Sequence, residues 1–159
     1  MAMAAQDWVG RQLVHDPYRV TAIDIAKFAH SIGATSPWYF ETAAARRMGY
    51  DAIVAPLGYY IVIRHTMANL VPLEELTVDG MSSDLTPPTS YKRRIAAEST
   101  IRFGERIVAG DNIVLTKTVR SIDEKRGRSG PFTAVTYRLD FRKDTGNLAV
   151  VEDFVRILR

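Results

Sequence analysis

The 159-residue sequence contains no cysteine, which removes disulfide frameworks, thiolate nucleophiles and cysteine-ligated zinc together. A reducing, cytoplasmic compartment is the expectation that follows. Histidine is nearly as scarce: the three, His15, His30 and His65, stand at no metal-ligand spacing, and no metal site is expected. Long apolar runs are missing too. The most apolar stretch, Ala52 to Ile63, contains Pro56 and falls well short of the roughly 20 residues a membrane-spanning helix needs, so no membrane association is expected. Met1 to Gly10 carry neither a basic leader nor an apolar core, so no signal peptide is expected, and residues 1–11 are read as a flexible N-terminus. Charge of one sign is also lacking, with 21 basic against 18 acidic side chains. The basic groups are dispersed, as Arg46-Arg47, Lys92-Arg93-Arg94 and Lys125-Arg126 with Arg128, and no nucleic-acid-binding motif accompanies them. A nucleic-acid partner is therefore not expected. Neither a Gly-x-Ser-x-Gly elbow, nor a phosphate-binding Walker loop, nor a dinucleotide glycine motif is present, which leaves hydrolase, NTPase and dinucleotide readings without support.

What is present fits one globular domain over residues 1–159, with 47% hydrophobic and 25% charged residues. The order is α+β: helical signals fill the first half and strand signals the second. Short extended segments at Gln12 to His15 and Tyr18 to Val20 flank a turn at His15-Asp16-Pro17. Thr21 to Asp24 has the capping-box pattern, and Ile25, Phe28, Ala29 and Ile32 follow at helical spacing, predicting a helix that ends near Gly33. Ser36-Pro37 opens a second predicted helix running to Met48, with Gly49 as its stop. Pro56 to Met67 reads as a buried helix, although a central strand fits its β-branched residues almost as well. A loop from Met81 to Ser90 precedes strand candidates at Glu98 to Phe103, Ile113 to Ile122, Phe132 to Arg142 and Leu148 to Leu158. Lys125 to Pro131 and Lys143 to Asn147 are read as the loops between successive strands. Four antiparallel strands after a central apolar helix describe a sheet wrapped around a helix.

The segment Gly33-Ala34-Thr35-Ser36-Pro37-Trp38-Tyr39 carries the most specific functional information. It resembles the Gly-Asp-x-Asn-Pro-x-His segment of the MaoC-like family, the (R)-specific enoyl-CoA hydratases and (3R)-hydroxyacyl dehydratases of hot-dog fold. Gly33 and Pro37 keep the frame, whereas Ala34, Ser36 and Tyr39 stand where the family has its catalytic Asp, its Asn and its catalytic His. The resemblance extends over Val20 to Leu158, through Gly49-Tyr50, Ile53 to Pro56, Ala109-Gly110-Asp111 and the Lys125 to Pro131 run with its Gly-Arg-Ser-Gly. It implies a single hot-dog domain of the family's N-terminal, degenerate type. Hydration of an enoyl thioester moves a proton on and off water and carbon, and needs an acid and a base. Ala34 and Tyr39 provide neither the carboxylate nor the imidazole.

In catalytic members the central helix begins with a His-Gly pair whose glycine amide polarises the thioester carbonyl. Here Pro56-Leu57 takes that place, with Gly58 one residue late. The resemblance therefore implies a non-catalytic subunit that shapes the acyl pocket while a catalytic MaoC-like hot-dog chain supplies Asp and His, in a heterodimer or heterotetramer. The implied substrate is an acyl thioester of coenzyme A or acyl carrier protein, with no cofactor. Tyr39, Pro56, Leu57 and Gly58 are the pocket candidates, and Lys125, Arg126 and Arg128 the candidates for coenzyme A phosphates. Duller roles stand beside these: packing for the Trp38-Tyr39-Phe40 cluster, a hydrogen-bonded core role for His65, solubility for the basic loop. Two other functions stay open, a homodimeric acyl-CoA-binding or regulatory protein without activity, and a thioesterase of the same fold using Glu41 or Asp51.

Overall fold

In the computed structural model the described residues are 5–67, 72–76, 80 and 85–159. Six strands form one antiparallel sheet: β1 (Gln12–Val14), β2 (Tyr18–Arg19), β3 (Arg94–Phe103), β4 (Asn112–Gly127), β5 (Gly130–Lys143) and β6 (Leu148–Leu158). The strand order is β1-β4-β5-β6-β3, with β2 also on β4. All four long strand candidates are present. β3 does not pair with β4, which follows it in sequence; it lies at the far edge beside β6.

Alternation decides which face of the sheet is buried. On β4, Ile113, Leu115, Lys117 and Val119 point inward, and a bulge between Val119 and Ser121 shifts the phase so that Ile122 is the next buried residue. The bulge lets one strand of 16 residues curve around the core without turning its apolar side out. Against this inner face lies α3 (Tyr60–Met67), entered through a 3-10 turn at Leu57–Tyr59. Tyr59, Tyr60 and Ile63 recur at helical spacing and are buried among Leu115, Tyr137, Phe141 and Val150. The helix reading of this ambiguous segment holds, but the helix is not buried all round: Leu57, Ile61 and His65 are exposed, so His65 has no core role.

α1 (Ala22–Ser31) begins as expected, with Thr21 Oγ1 accepting from the Asp24 amide at 3.1 Å. Asp24 reaches back to the Thr21 hydroxyl, which donates to its carboxylate at 2.6 Å, and not to the Thr21 amide. Gly33 follows with φ of +68°, a left-handed turn that glycine accepts without strain. The predicted helix from Ser36 to Met48 is in fact two pieces. A 3-10 turn at Pro37–Tyr39 ends at Phe40, and α2 (Thr42–Arg47) starts afresh with Glu41 as N-cap. Phe40 and Glu41 have left helical geometry, with φ of −128° and −123°. Lys125 to Pro131 is not a loop either. β4 and β5 pair out to Gly127 and Gly130, leaving Arg128-Ser129 as a two-residue turn with Gly130 at a φ of +114°. Of the loop predicted from Met81, residues 81–84 lie outside the described residues. Within the predicted flexible stretch 1–11, residues 1–4 also lie outside them, while Ala5–Trp8 form a 3-10 turn and the Gly10 amide donates to Val119 O at 2.8 Å.

One polar contact ties the helix to the sheet. Glu152, on the inner face of β6 and 1% exposed, accepts Arg64 Nη1 on both oxygens at 2.8 and 3.0 Å and the Ser99 hydroxyl at 2.8 Å. Arg64 also lies over the Phe154 ring, 4.4 Å from its centroid. A charge this deep is tolerable only while paired, so removing one partner costs more than the pair contributes. Arg64→Met is therefore expected to lower unfolding free energy by about 3 kcal/mol, measured by urea denaturation. Arg64→Met with Glu152→Leu should recover most of that loss, because no unpaired charge is left inside. Thr21→Ala should cost about 1 kcal/mol through the lost cap, read in the same assay.

Candidate functional site

Backbone bonds, not side chains, hold the degenerate segment in place. After Gly33 the chain turns so that the Ala34 amide donates to Ala29 O at 2.9 Å, and Pro37 fixes the short turn that carries Trp38 and Tyr39. Trp38 O then accepts the Val54 amide at 3.1 Å, and the Ala55 amide donates to Ile107 O at 2.8 Å. Val54 stands two residues before Pro56, so the 34–39 segment and the start of the central helix belong to one wall.

Along that wall the expected catalytic positions hold no acid and no imidazole. Ala34, Ser36 and Tyr39 are half-buried. The Tyr39 ring stands edge-on to Trp38 at 5.7 Å, and His30 lies against Phe40 at 4.6 Å. The Trp38-Tyr39-Phe40 cluster is thus engaged in aromatic packing. His30 is exposed, as are Glu41 and Asp51.

Pro56 is buried, Leu57 is exposed and Gly58 is half-buried. Leu57 and Gly58 open the 3-10 turn, so their amides have no acceptor within the helix. A small cleft of about 10 Å³ lies here, lined by Pro56, Leu57, Phe103, Arg106 and Val150 among others. Arg106 Nη1 is buried without a hydrogen-bond partner among the described residues. A side chain at Gly58 would meet the Phe28 ring at 3.5 Å, so α1 covers the helix start. Below it, burial and the Tyr18 hydroxyl raise the Tyr59 phenol far above its ordinary value, and burial first, then Glu152, raises that of Tyr60. Both therefore remain neutral hydroxyls and supply no base.

The Trp38–Val54 bond ties the segment carrying Tyr39 to the stretch just before Pro56. The cleft is lined by Pro56 and Leu57 but by neither Tyr39 nor Gly58, and the predicted phosphate-binding residues lie elsewhere. Lys125 and Arg126 lie on β4 opposite Phe132 and Pro131, and Arg128 lies in the turn; all three are exposed. Phe141, level with Val150 at the cleft, is nine residues along β5 from Phe132, or about 30 Å of strand. The three basic residues do not line the cleft at the helix start. Among the described residues no group of three His, Asp or Glu is placed to hold a metal ion, and no helix is long and apolar enough to cross a membrane.

Sequence reasoning missed a second polar cluster. Glu152 and Arg156 interrupt the inward series Val150, Phe154, Leu158 on β6, and that interruption at period two was the available signal. Arg64, His65, Arg94, Ser99, Phe154 and Arg156 line a cavity of about 340 Å³ at the far end of α3.

Comparison with known proteins agrees with this geometry. The family model described as FAS1-like, dehydratase domain region, matches residues 7–151. The chain is similar to a UPF0336 protein of Clavibacter michiganensis, 28% identical over 106 residues that cover 67% of this chain and 64% of that protein. It is also similar to a probable enoyl-CoA hydratase alpha subunit of Thermomonospora curvata, 29% identical over 168 residues, 97% of this chain and 50% of that protein. The chain thus spans less than two thirds of either relative. In fold it is similar to the HadBC (3R)-hydroxyacyl-ACP dehydratase complex of Mycobacterium tuberculosis, with a TM-score of 0.70 at 19% identity over 99% of both chains. A MaoC-like dehydratase from Rhodospirillum rubrum gives a TM-score of 0.70 at 19% identity, covering 94% of this chain and 91% of that one. A single antiparallel sheet curled around one helix, with these matches, establishes that the chain belongs to the FAS1-like dehydratase domain region family and has the hot-dog fold of the MaoC-like dehydratases.

Proposed function

We propose that this chain is the non-catalytic subunit of a heteromeric (R)-specific enoyl-thioester hydratase, or (3R)-hydroxyacyl dehydratase, in which a partner hot-dog chain supplies the Asp and His. The observation that carries the reading is the wall just described: the frame of Gly33, Pro37 and the central helix start persists, while Ala34 and Tyr39 hold the two reactive places. Such a subunit contributes the acyl pocket and the fold-stabilising half of the assembly. The donors it offers are the amides of Leu57 and Gly58, aimed from the positive end of a helix. Its substrate would be an acyl thioester of coenzyme A or of an acyl carrier protein, and the chemistry needs no cofactor.

A partner chain also accounts for the exposed apolar surface. Leu57 and Ile61 on the outer side of the central helix are 47% and 43% exposed, and Ile95 and Phe103 on the edge strand β3 are 44% and 45% exposed. A long edge strand with apolar side chains is a liability unless another chain covers it. The HadBC structure is that of a complex of two different subunits by its name, which agrees with such pairing.

The test is hydration of a short trans-2-enoyl-CoA, followed by loss of enoyl absorbance. The isolated chain is expected to show no turnover. Turnover should appear on co-expression with a MaoC-like chain of the same source that carries an intact Gly-Asp-x-Asn-Pro-x-His. Full activity from the isolated chain would sink the proposal, and a homodimer that refuses every such partner would favour the acyl-CoA-binding alternative.

A further inference from the structure

The cavity at the far end of α3 is unlike an ordinary hydrocarbon tunnel. Three arginines, Arg64, Arg94 and Arg156, and the imidazole of His65 stand around about 340 Å³ of space, together with Ile95, Ala96 and Phe154. Arg64 is committed to Glu152, which it holds together with Ser99, and Arg94 has an interaction of its own. Arg156 is the telling residue. It is 7% exposed, its hydrogen bond is a long one of 3.4 Å to Thr86 Oγ1, and its guanidinium lies 5.3 Å and 5.8 Å from the Tyr137 and Phe154 ring centroids. No carboxylate among the described residues is within ion-pair distance of it. Aromatic faces offset only part of the cost of burying a guanidinium. An arginine fork in that state matches an oxyanion, which it binds with two parallel hydrogen bonds.

We infer that this cavity binds the distal carboxylate of an acyl thioester, so that the acyl group handled by the complex is that of a dicarboxylic acid monothioester. The inference rests on the proposed function and names the substrate class for it. Position favours a carboxylate over a coenzyme phosphate. Arg64 lies seven residues beyond Leu57 along the helix, or about 10 Å of axis, a separation equal to the length of an extended acyl chain of about eight carbons. The lining is also mixed, with Ile95, Ala96 and Phe154 for methylenes and the arginines for the charged end. A phosphate headgroup would have no use for the apolar part.

Calorimetric titration of the full chain with suberyl-CoA and octanoyl-CoA compares two eight-carbon thioesters that differ by one carboxylate. Suberyl-CoA should bind about tenfold or more tighter. In Arg156→Met that preference should fall to within about twofold. Arg156→Lys, which keeps the charge but loses the fork, should reduce it at least about threefold, and circular dichroism reports whether each variant is folded. Equal binding of the two thioesters, or a preference that survives in the folded Arg156→Met chain, overturns the inference and leaves the proposed subunit role standing. Inorganic phosphate that displaces both thioesters alike would put the coenzyme in the cavity and overturn it as well. Binding of neither thioester, by the chain alone or with its catalytic partner, would overturn the inference as well, whereas turnover on co-expression tests the subunit role separately.

Discussion

A charge buried on the inner face of a sheet constrains everything placed against it. Glu152 sits where the series Val150, Phe154, Leu158 calls for an apolar side chain, and it is tolerated because Arg64 reaches down from the central helix and Ser99 across from the edge strand. The three bonds join α3, β6 and β3, elements that share little sequence proximity. The apolar core fixes the depth of the helix, but apolar contacts are non-directional and tolerate sliding. The bidentate contact fixes where along the sheet the helix stops. With that position set, Pro56 to Gly58 are held at one end of the fold and the arginine cavity at the other.

Much of this arrangement was legible in the chain. Period-two alternation on β4 to β6 and the Thr21 cap, Gly33 and Gly49 signals gave the elements, because each is a local consequence of sterics or a single bond. Tertiary competition accounts for the departures. Ser36 to Met48 has helical composition throughout, yet Phe40 and Glu41 leave helical geometry, and Trp38 O bonds to Val54 instead of continuing a helix. Lys125 to Pro131 looks like a loop by charge and glycine, but the Gly127 and Gly130 pair allows a tight turn and so extends both strands. Pro56 to Met67 reads apolar all round because its exposed outer face carries Leu57 and Ile61 while its inner face packs on the core.

The site was legible in its frame and not in its reach. Motif spacing identified the positions 34, 36 and 39 and the helix start, and backbone bonds through Val54 explain why these two distant segments matter together. Nothing local says that Lys125, Arg126 and Arg128 end about 30 Å of strand away, since that depends on how far the hairpin pairs. The polar residues on β6 were visible as breaks in an alternating pattern. Their meaning required the helix that meets them.

The central claim is that the reactive acid and base of the assembly lie outside this chain. The carboxylates that could stand in for the lost acid from this chain are Glu41 and Asp51, both exposed. The direct measurement is kcat of the assembled complex with Glu41→Gln and Asp51→Asn introduced together in this chain. The account predicts a kcat unchanged to within about twofold, whereas a loss of about 10²-fold or more, the scale of a missing general acid or base, would contradict it.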